Sequence, residues 1–166
     1  LRWLLPMHEP FSPLEAQTLI QMYEAEVAYQ DHLLGRLLEI LDQPSYRENA
    51  AVIIASDHGE MLGDRGIWYK NSFYDGSVGI PFIWSFPKEL PQGKVIRAPA
   101  MNMDIFPTLC DLAGLPTPEQ CKNPSFRALL ADPKAAWDRP ALTTMGQGNH
   151  TVRDDRWRYI RYADGF

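Results

Sequence analysis

The feature that most constrains the fold is a pair of short, uninterrupted apolar runs. The first is AAVIIA at residues 50–55, and the second is IPFIWSF at residues 80–86. Runs of this length without polar alternation are typical of strands that are covered on both faces in a parallel sheet. A long helical pattern precedes the first run, so the order of helix, strand, loop and strand predicts an α/β layer with right-handed crossovers.

The helical pattern has a well-defined start. Ser12, Pro13 and Glu15 fit the cap, first and third positions of a capping box, where the missing N–H of proline costs nothing. Apolar residues then recur at steps of three and four residues, without another proline, as far as Leu41. The pattern predicts a helix that begins after Ser12, ends near Leu41 and carries one apolar stripe.

The second half of the chain changes in character twice. Residues 103–115 predict a short helix, with a proline in its first turn and Gly114 at its end. Prolines then interrupt a polar stretch after Leu115, which we expect to be a surface excursion. From Ala141 onward, short strand-like segments separated by turn residues predict antiparallel hairpins.

Composition narrows the possible partners. The chain has 166 residues, of which 45% are hydrophobic, which is enough for one sizeable core. Its 16 Lys and Arg against 21 Asp and Glu, without a basic run, argue against nucleic acid as a partner.

Cys110 and Cys121 lack the spacing of a disulfide framework or a zinc site. No apolar stretch approaches the roughly 20 residues of a membrane span, and the ends of the chain suggest a piece of a longer protein, so the compartment stays open.

The end of the first apolar run carries residues that suit chemistry. Asp57 and His58 follow it directly, at the place where open α/β sheets bind ligands. A carboxylate and an imidazole together suit a divalent cation, and Gly59 lets the backbone turn away from the ion. Lys70 follows a polar loop and could return to the same crevice, where its ammonium would neutralise a tetrahedral oxyanion. The plainer alternative is a turn with a satisfied histidine and a solvated surface lysine.

The stretch SDHGEMLGDRGIWYKNSFYDGSVGIPFIWSFP resembles the second metal-ligand block of the sulfatase family, within the alkaline-phosphatase superfamily. It is similar to choline-sulfatase-like and phosphonate-monoester-hydrolase-like members, and NMDIFPTLCDLAGLP resembles the segment that follows this block. The resemblance implies an α/β fold, part of a sulfatase-type sandwich with a central mixed sheet flanked by helices. It places residues 1–138 in the C-terminal part of the catalytic domain and residues 139–166 at the start of an antiparallel subdomain.

The resemblance also implies roles for individual residues. Asp57 and His58 would be metal ligands, with calcium usual in the family and manganese or magnesium possible. Lys70 would bind the sulfate or phosphoryl oxygens. His8 resembles the histidine of the HxPxxP stretch, which contacts the ester and assists the leaving group, although a histidine in the loop before the helix is an equal alternative. His150 could line the entrance and select the organic part of the substrate, or lie in a plain hairpin turn.

The chain departs from the family pattern in two respects. Gly79 stands where many members have arginine, and the N-terminal half with the segment that becomes formylglycine is absent from these residues. The similar-looking CKNPSFR, residues 121–127, has its proline and arginine at the wrong spacing. The resemblance therefore implies part of a metal-dependent hydrolase of small-molecule or saccharide sulfate esters. A phosphonate or phosphate ester hydrolase and a non-catalytic metal-binding protein remain the alternatives.

Overall fold

The computed structural model describes residues 10–146 and 148–163 of the chain. His8, the histidine that the resemblance assigns to the leaving group, lies outside these residues. The helices are α1 (Pro13–Leu41), α2 (Pro44–Arg47), α3 (Asp75–Val78), α4 (Ile105–Leu112) and α5 (Arg127–Ala131). The strands are β1 (Val52–Ala55), β2 (Met61–Leu62), β3 (Trp68–Tyr69), β4 (Phe82–Ser85), β5 (Ala141–Met145), β6 (Asn149–Arg153) and β7 (Arg158–Arg161).

The long helix α1 confirms the predicted capping box. The Ser12 amide donates to Oε2 of Glu15 at 2.8 Å, and the Glu15 amide donates to Oγ of Ser12 at 3.3 Å. No residue of α1 is buried, and Leu14 is 73% exposed, so its apolar stripe is largely uncovered within the described part of the chain. Neither α1 nor any other described helix combines the length and hydropathy needed to cross a membrane.

The two apolar runs form β1 and β4, which are direct neighbours but pair antiparallel. The prediction of a parallel arrangement with a right-handed crossover between them is therefore wrong. A crossover needs a long connection that is usually a helix, whereas the link between β1 and β4 folds into the β2–β3 hairpin and the single turn of α3. Phe82 and Trp84 pack on the main apolar cluster, while Ile83 on the opposite face is 55% exposed. The described chain therefore covers β4 on one face only, whereas β1 is partly covered on both faces.

The main apolar cluster includes residues from the segment expected to be a surface excursion. Its buried members are Leu90, Phe126, Leu129 and Leu130. The prolines of this segment prevent a long helix, but they leave the short α5, which carries two of these leucines. Phe126 packs edge-on against Trp84 of β4, with ring centroids 5.1 Å apart. The expectation of a surface excursion after Leu115 is therefore wrong, because these apolar side chains anchor the polar stretch to the strands.

The predicted helix over residues 103–115 is confirmed as α4, and the glycine after it adopts a left-handed φ of +66°. The fully buried Asp104 precedes this helix and accepts hydrogen bonds from Asn123 at 2.7 Å and from Arg139 at 3.2 Å. The Phe126 amide donates to Oγ1 of Thr108 at 3.0 Å. These bonds give CKNPSFR a structural role, since a buried carboxylate with charged and polar donors fixes α4 against it.

The residues from 141 onward form the predicted antiparallel hairpins. β5, β6 and β7 lie in that order in one sheet. Asp154 organises the turn before β7, and its Oδ1 accepts from the amides of Trp157 at 2.5 Å and Arg156 at 2.8 Å. The two backbone donors, that of Trp157 first, hold the pKa of Asp154 below its ordinary value against a small opposing effect of burial.

Candidate functional site

The structure brings three of the predicted site residues together just beyond the carboxyl end of β1. Nε2 of His58 lies 2.9 Å from Nζ of Lys70 and 3.6 Å from Oδ2 of Asp57. The loop after β1 therefore returns the lysine to the strand end, as the sequence predicts. The carboxylate, the imidazole and the ammonium share one space.

The orientation of the His58 ring is fixed by its own backbone. Nδ1 lies 2.7 Å from the carbonyl oxygen of Gly59, which can only accept a hydrogen bond. We therefore assign the proton to Nδ1, which leaves the lone pair of Nε2 facing Lys70 and Asp57. A backbone carbonyl that holds the second ring nitrogen is the usual support of a metal-ligating histidine.

Asp57 is ionised and accessible. Burial raises the pKa of its carboxyl, but the electrostatic effects of the His58 ring and of Lys70, together with the backbone amide donors, outweigh this and lower the pKa. One of these donors is the His58 amide, which donates to Oδ1 at 3.0 Å. The Asp57 side chain is 84% exposed, so its second oxygen remains free to bind a ligand.

Gly59 is required for a different reason from the one expected. A Cβ at this position would collide with the carbonyl oxygens of Gly76 and Gly79, because α3 packs directly against the backbone that follows His58. The Gly59 amide also donates to the carbonyl oxygen of Ser77 at 2.8 Å. The glycine thus allows close contact with α3, which fixes the position of His58.

The backbone that carries Lys70 is held in an unusual conformation. Tyr69, the preceding residue, has a φ of +68°, a left-handed value that is an outlier for a bulky side chain. The hydroxyl of Ser77, which is 2% exposed, donates to the carbonyl oxygen of Lys70. Ser77 therefore contacts the backbone on both sides of the site, at Gly59 and at Lys70.

Further residues of the site were missed at the level of sequence. Arg158 donates to the carbonyl oxygen of Phe73 and pairs with Asp75, and Nη1 of Arg153 lies 2.8 Å from Oδ1 of Asp75. Burial lowers the pKa of the Arg158 guanidinium, an effect that Asp75 opposes and Arg153 reinforces. The period-two alternation of RDDRWRYIRY is typical of a strand, but it does not indicate that Arg153 and Arg158 lie opposite each other on β6 and β7, or what they contact.

Asn102 also approaches the strand end. Its amide nitrogen donates to the carbonyl oxygen of Ser56 at 2.9 Å, which joins the segment before α4 to the end of β1. An open cleft surrounds the site, and the polar residues lining it include Asp57, His58, Lys70, Asp75, Asn102, Thr143, Thr144, Arg153 and Arg158.

His150 occupies a different position from the other predicted residues. It lies on β6, opposite Thr144 of β5, and its Nδ1 is 3.0 Å from the carbonyl oxygen of Gly148. The strand β5 contributes Thr143 and Thr144 to the cleft lining. A role for His150 in substrate selection stays a prediction.

The donor set fits part of a cation site. Within residues 10–146 and 148–163, no three His, Cys, Asp or Glu side chains come together as a metal site. Asp57 and His58 nevertheless offer one carboxylate oxygen and one imidazole lone pair toward the same space. Two ligands do not complete the coordination of a divalent cation, so a cation there would need further ligands from other parts of the protein.

Comparisons with known proteins bear on the family of this chain and on its fold. The family model described as "Sulfatase" matches residues 8–115, well over half of the chain. A sulfatase of Formosa agariphila is 36% identical over 151 residues, which cover 91% of this chain and 30% of that protein.

Solved structures support the fold. A protein in complex with its substrate D-glucosamine-2-N,6-O-disulfate has a TM-score of 0.81 and 24% identity, over 92% of this chain and 34% of its own. The phosphonate monoester hydrolase of Agrobacterium radiobacter has a TM-score of 0.77 and 25% identity, over 90% of this chain and 34% of its own. The predicted α/β fold is confirmed, and this chain spans about a third of the length of the proteins that it matches.

Proposed function

Because this chain belongs to the sulfatase family, we propose that it is the C-terminal part of a metal-dependent hydrolase of sulfate esters. The observation that carries the proposal is that Asp57 and Lys70 both lie within 3.6 Å of Nε2 of His58 at the end of β1, inside the matched segment. A carboxylate and an imidazole beside an ammonium form one side of a cradle for an anion bound to a cation.

Asp57 and His58 would hold a divalent cation through the carboxylate and Nε2. Nζ of Lys70, which lies 2.9 Å from Nε2 in the structure, would then turn from this lone pair toward the anion. We propose calcium, as the family resemblance implies, while the mixed oxygen and nitrogen donors also admit manganese or magnesium. When bound, such a cation polarises the ester oxygens as a Lewis acid. Lys70 would hold a sulfate oxygen and offset the negative charge that develops on it.

The remaining chemistry would come from elsewhere in the whole protein. The attacking group, which the family resemblance implies to be formylglycine, would lie outside these 166 residues. His8 would assist the leaving group, and His150 on β6 would contact the organic part of the substrate. A small-molecule or saccharide sulfate ester is the proposed substrate, supported by the sulfated sugar bound by one structural neighbour.

We propose the division of the chain that the resemblance implies, with a catalytic part over residues 1–138 and an antiparallel subdomain beginning at residue 139. The support is that β5, β6 and β7 pair only with one another among the described strands. The ion pairs of Asp75 with Arg153 and Arg158 would then lie between the two parts.

Substitutions in the whole protein test the site. Lys70→Ala is expected to lower kcat/KM for an aryl sulfate by roughly 10²–10³-fold, the usual effect of losing one group that stabilises developing charge. Lys88→Ala is the matched control, because Lys88 is an exposed lysine away from the cleft. Activity of Lys70→Ala equal to that of Lys88→Ala would rule out the proposed role.

The metal ligands have a separate readout. Asp57→Ala should lower the amount of bound divalent cation, measured by elemental mass spectrometry, and abolish turnover. An unchanged metal content would contradict the ligand assignment whatever the activity.

A phosphonate or phosphate ester hydrolase is the second candidate, favoured by the likeness to the phosphonate monoester hydrolase of Agrobacterium radiobacter. Steady-state kinetics of the whole protein on an aryl sulfate and the matching phosphonate monoester would separate the two by their ratio of kcat/KM. A non-catalytic metal-binding protein is the third candidate. It would bind the cation but turn over neither ester, and its upstream sequence would lack the CxPxR or SxPxR segment.

A further inference from the structure

The conformation of the loop between Lys70 and α3 depends on hydrogen bonds from residues outside the loop. Residues 70–74 form no helix or strand between β3 and α3. A segment without its own hydrogen-bond ladder takes its position from the groups that contact it. The position of Lys70 relative to His58, at 2.9 Å between Nζ and Nε2, therefore depends on those contacts.

Arg158 of β7 supplies contacts to two places in this segment. One guanidinium nitrogen donates to the carbonyl oxygen of Phe73, and another pairs with Oδ1 of Asp75. The Arg158 side chain is 16% exposed, and Phe73 is 1% exposed, so both partners are held in a packed environment. A planar guanidinium that bonds to two acceptors fixes their relative position, which a lysine cannot do.

Through Asp75, the contact with Arg158 also restrains the position of α3. It is the first residue of α3, and it also accepts from Nη1 of Arg153 at 2.8 Å. Within the same helix, the hydroxyl of Ser77 donates to the carbonyl oxygen of Lys70, and the carbonyl oxygen of Ser77 accepts from the amide of Gly59. A shift of α3 would therefore move the Lys70 backbone relative to the residue that follows His58.

We propose that Arg158 is a positioning residue that acts through α3 to hold Lys70 close to the proposed metal ligands Asp57 and His58. The inference rests on the proposed function, because it assigns to a strand of the antiparallel sheet the placement of the anion-binding lysine. Arg158 need not touch the substrate for this role.

The test measures binding of inorganic sulfate to the whole, metal-loaded protein by calorimetry. Arg158→Ala removes both contacts, and Arg158→Lys keeps the positive charge but loses the two-acceptor geometry. Both are expected to weaken sulfate binding on the order of tenfold, the size of effect typical of residues that orient a ligand-binding group. Arg161→Ala is the matched control, since Arg161 is an exposed arginine on the same strand.

A double-mutant cycle with Lys70→Ala separates positioning from direct binding. If Arg158 acts through Lys70, Arg158→Ala should cause no further loss of sulfate affinity in the Lys70→Ala background. An equal loss in both backgrounds, or wild-type affinity in Arg158→Lys, would overturn the proposal, because each would indicate a direct or purely electrostatic effect.

Two further results complete the test. If Arg158→Ala does not fold, Asp75→Asn replaces it in the double-mutant cycle, since Asp75 is 73% exposed and the substitution weakens its pairing with both arginines by removing the negative charge. Unchanged sulfate affinity in Asp75→Asn would then overturn the proposal. If Lys70→Ala itself binds sulfate normally, the proposed function of Lys70 fails as well, whereas a loss with Lys70→Ala alone overturns only the role of Arg158.

Discussion

The contact between Gly59 and α3 predicts the effect of adding a single methyl group to the site. In Gly59→Ala the new Cβ would overlap the carbonyl oxygens of Gly76 and Gly79. Both neighbours are backbone atoms, so neither can rotate away as a side chain would. Relief of the overlap requires α3 to move, which stretches the 2.8 Å bond from the Gly59 amide to Ser77.

The magnitude follows from these two effects. Overpacking by one methyl group costs about 1–3 kcal/mol, and loss of the hydrogen bond to Ser77 adds about 1 kcal/mol. Together they should lower the free energy of unfolding by roughly 2–4 kcal/mol. Because His58 directly precedes Gly59, the amount of divalent cation bound at the proposed site should fall as well.

Urea unfolding of the whole protein, followed by tryptophan fluorescence, would measure the loss of stability. Gly146→Ala is the control, because a Cβ there meets nothing within 4 Å and the residue lies in an exposed turn. Its effect should stay within about 0.5 kcal/mol. Equal unfolding midpoints for Gly59→Ala and Gly146→Ala would refute the close packing of α3 against the backbone of Gly59.

Three more outcomes are expected. Asp104→Ala should cost about 3 kcal/mol in urea unfolding, because the partly buried donors of Asn123 and Arg139 lose their fully buried acceptor; a cost no larger than that of the exposed Asp138→Ala would contradict this. Asp154 has a lowered pKa in the folded state, so its stabilising contribution is present above the ordinary carboxyl pKa of 3.8 and is lost as the pH falls through the lowered value. The difference in thermal midpoint between wild type and Asp154→Asn should therefore shrink on acidification, and a difference that grows would contradict the assignment. Finally, the purified 166-residue chain should show no multiple turnover of an aryl sulfate, since the proposed nucleophile lies outside it; measurable turnover would refute that placement.

Local patterns in the sequence predicted the elements whose contacts are local. The capping box of Ser12 and Glu15 spans three residues, so its hydrogen bonds follow from the sequence directly. Asp57 and His58 were predicted at a strand end because the change from apolar to polar residues marks that end. The return of Lys70 was predicted as a possibility, and the 2.9 Å contact with His58 confirms their proximity.

Contacts that depend on tertiary placement were not predictable in the same way. The antiparallel pairing of β1 with β4 depends on the fold of the link, which has little helical pattern. The prolines around Phe126 favoured the prediction of a surface segment, so its contribution to the core was missed. Arg158 and Asp75 are 83 residues apart, and no local periodicity indicates that they pair.

The left-handed backbone at Tyr69 lowers the stability of the protein but restrains the backbone next to Lys70. A bulky side chain in this region costs roughly 1–3 kcal/mol, which glycine would recover. Glycine would also free the rotation of the backbone immediately before Lys70, so the lysine would spend less time beside His58. Selection for heat resistance alone would therefore favour Tyr69→Gly, and under the proposed role of Lys70 the more stable protein would bind its anion less tightly.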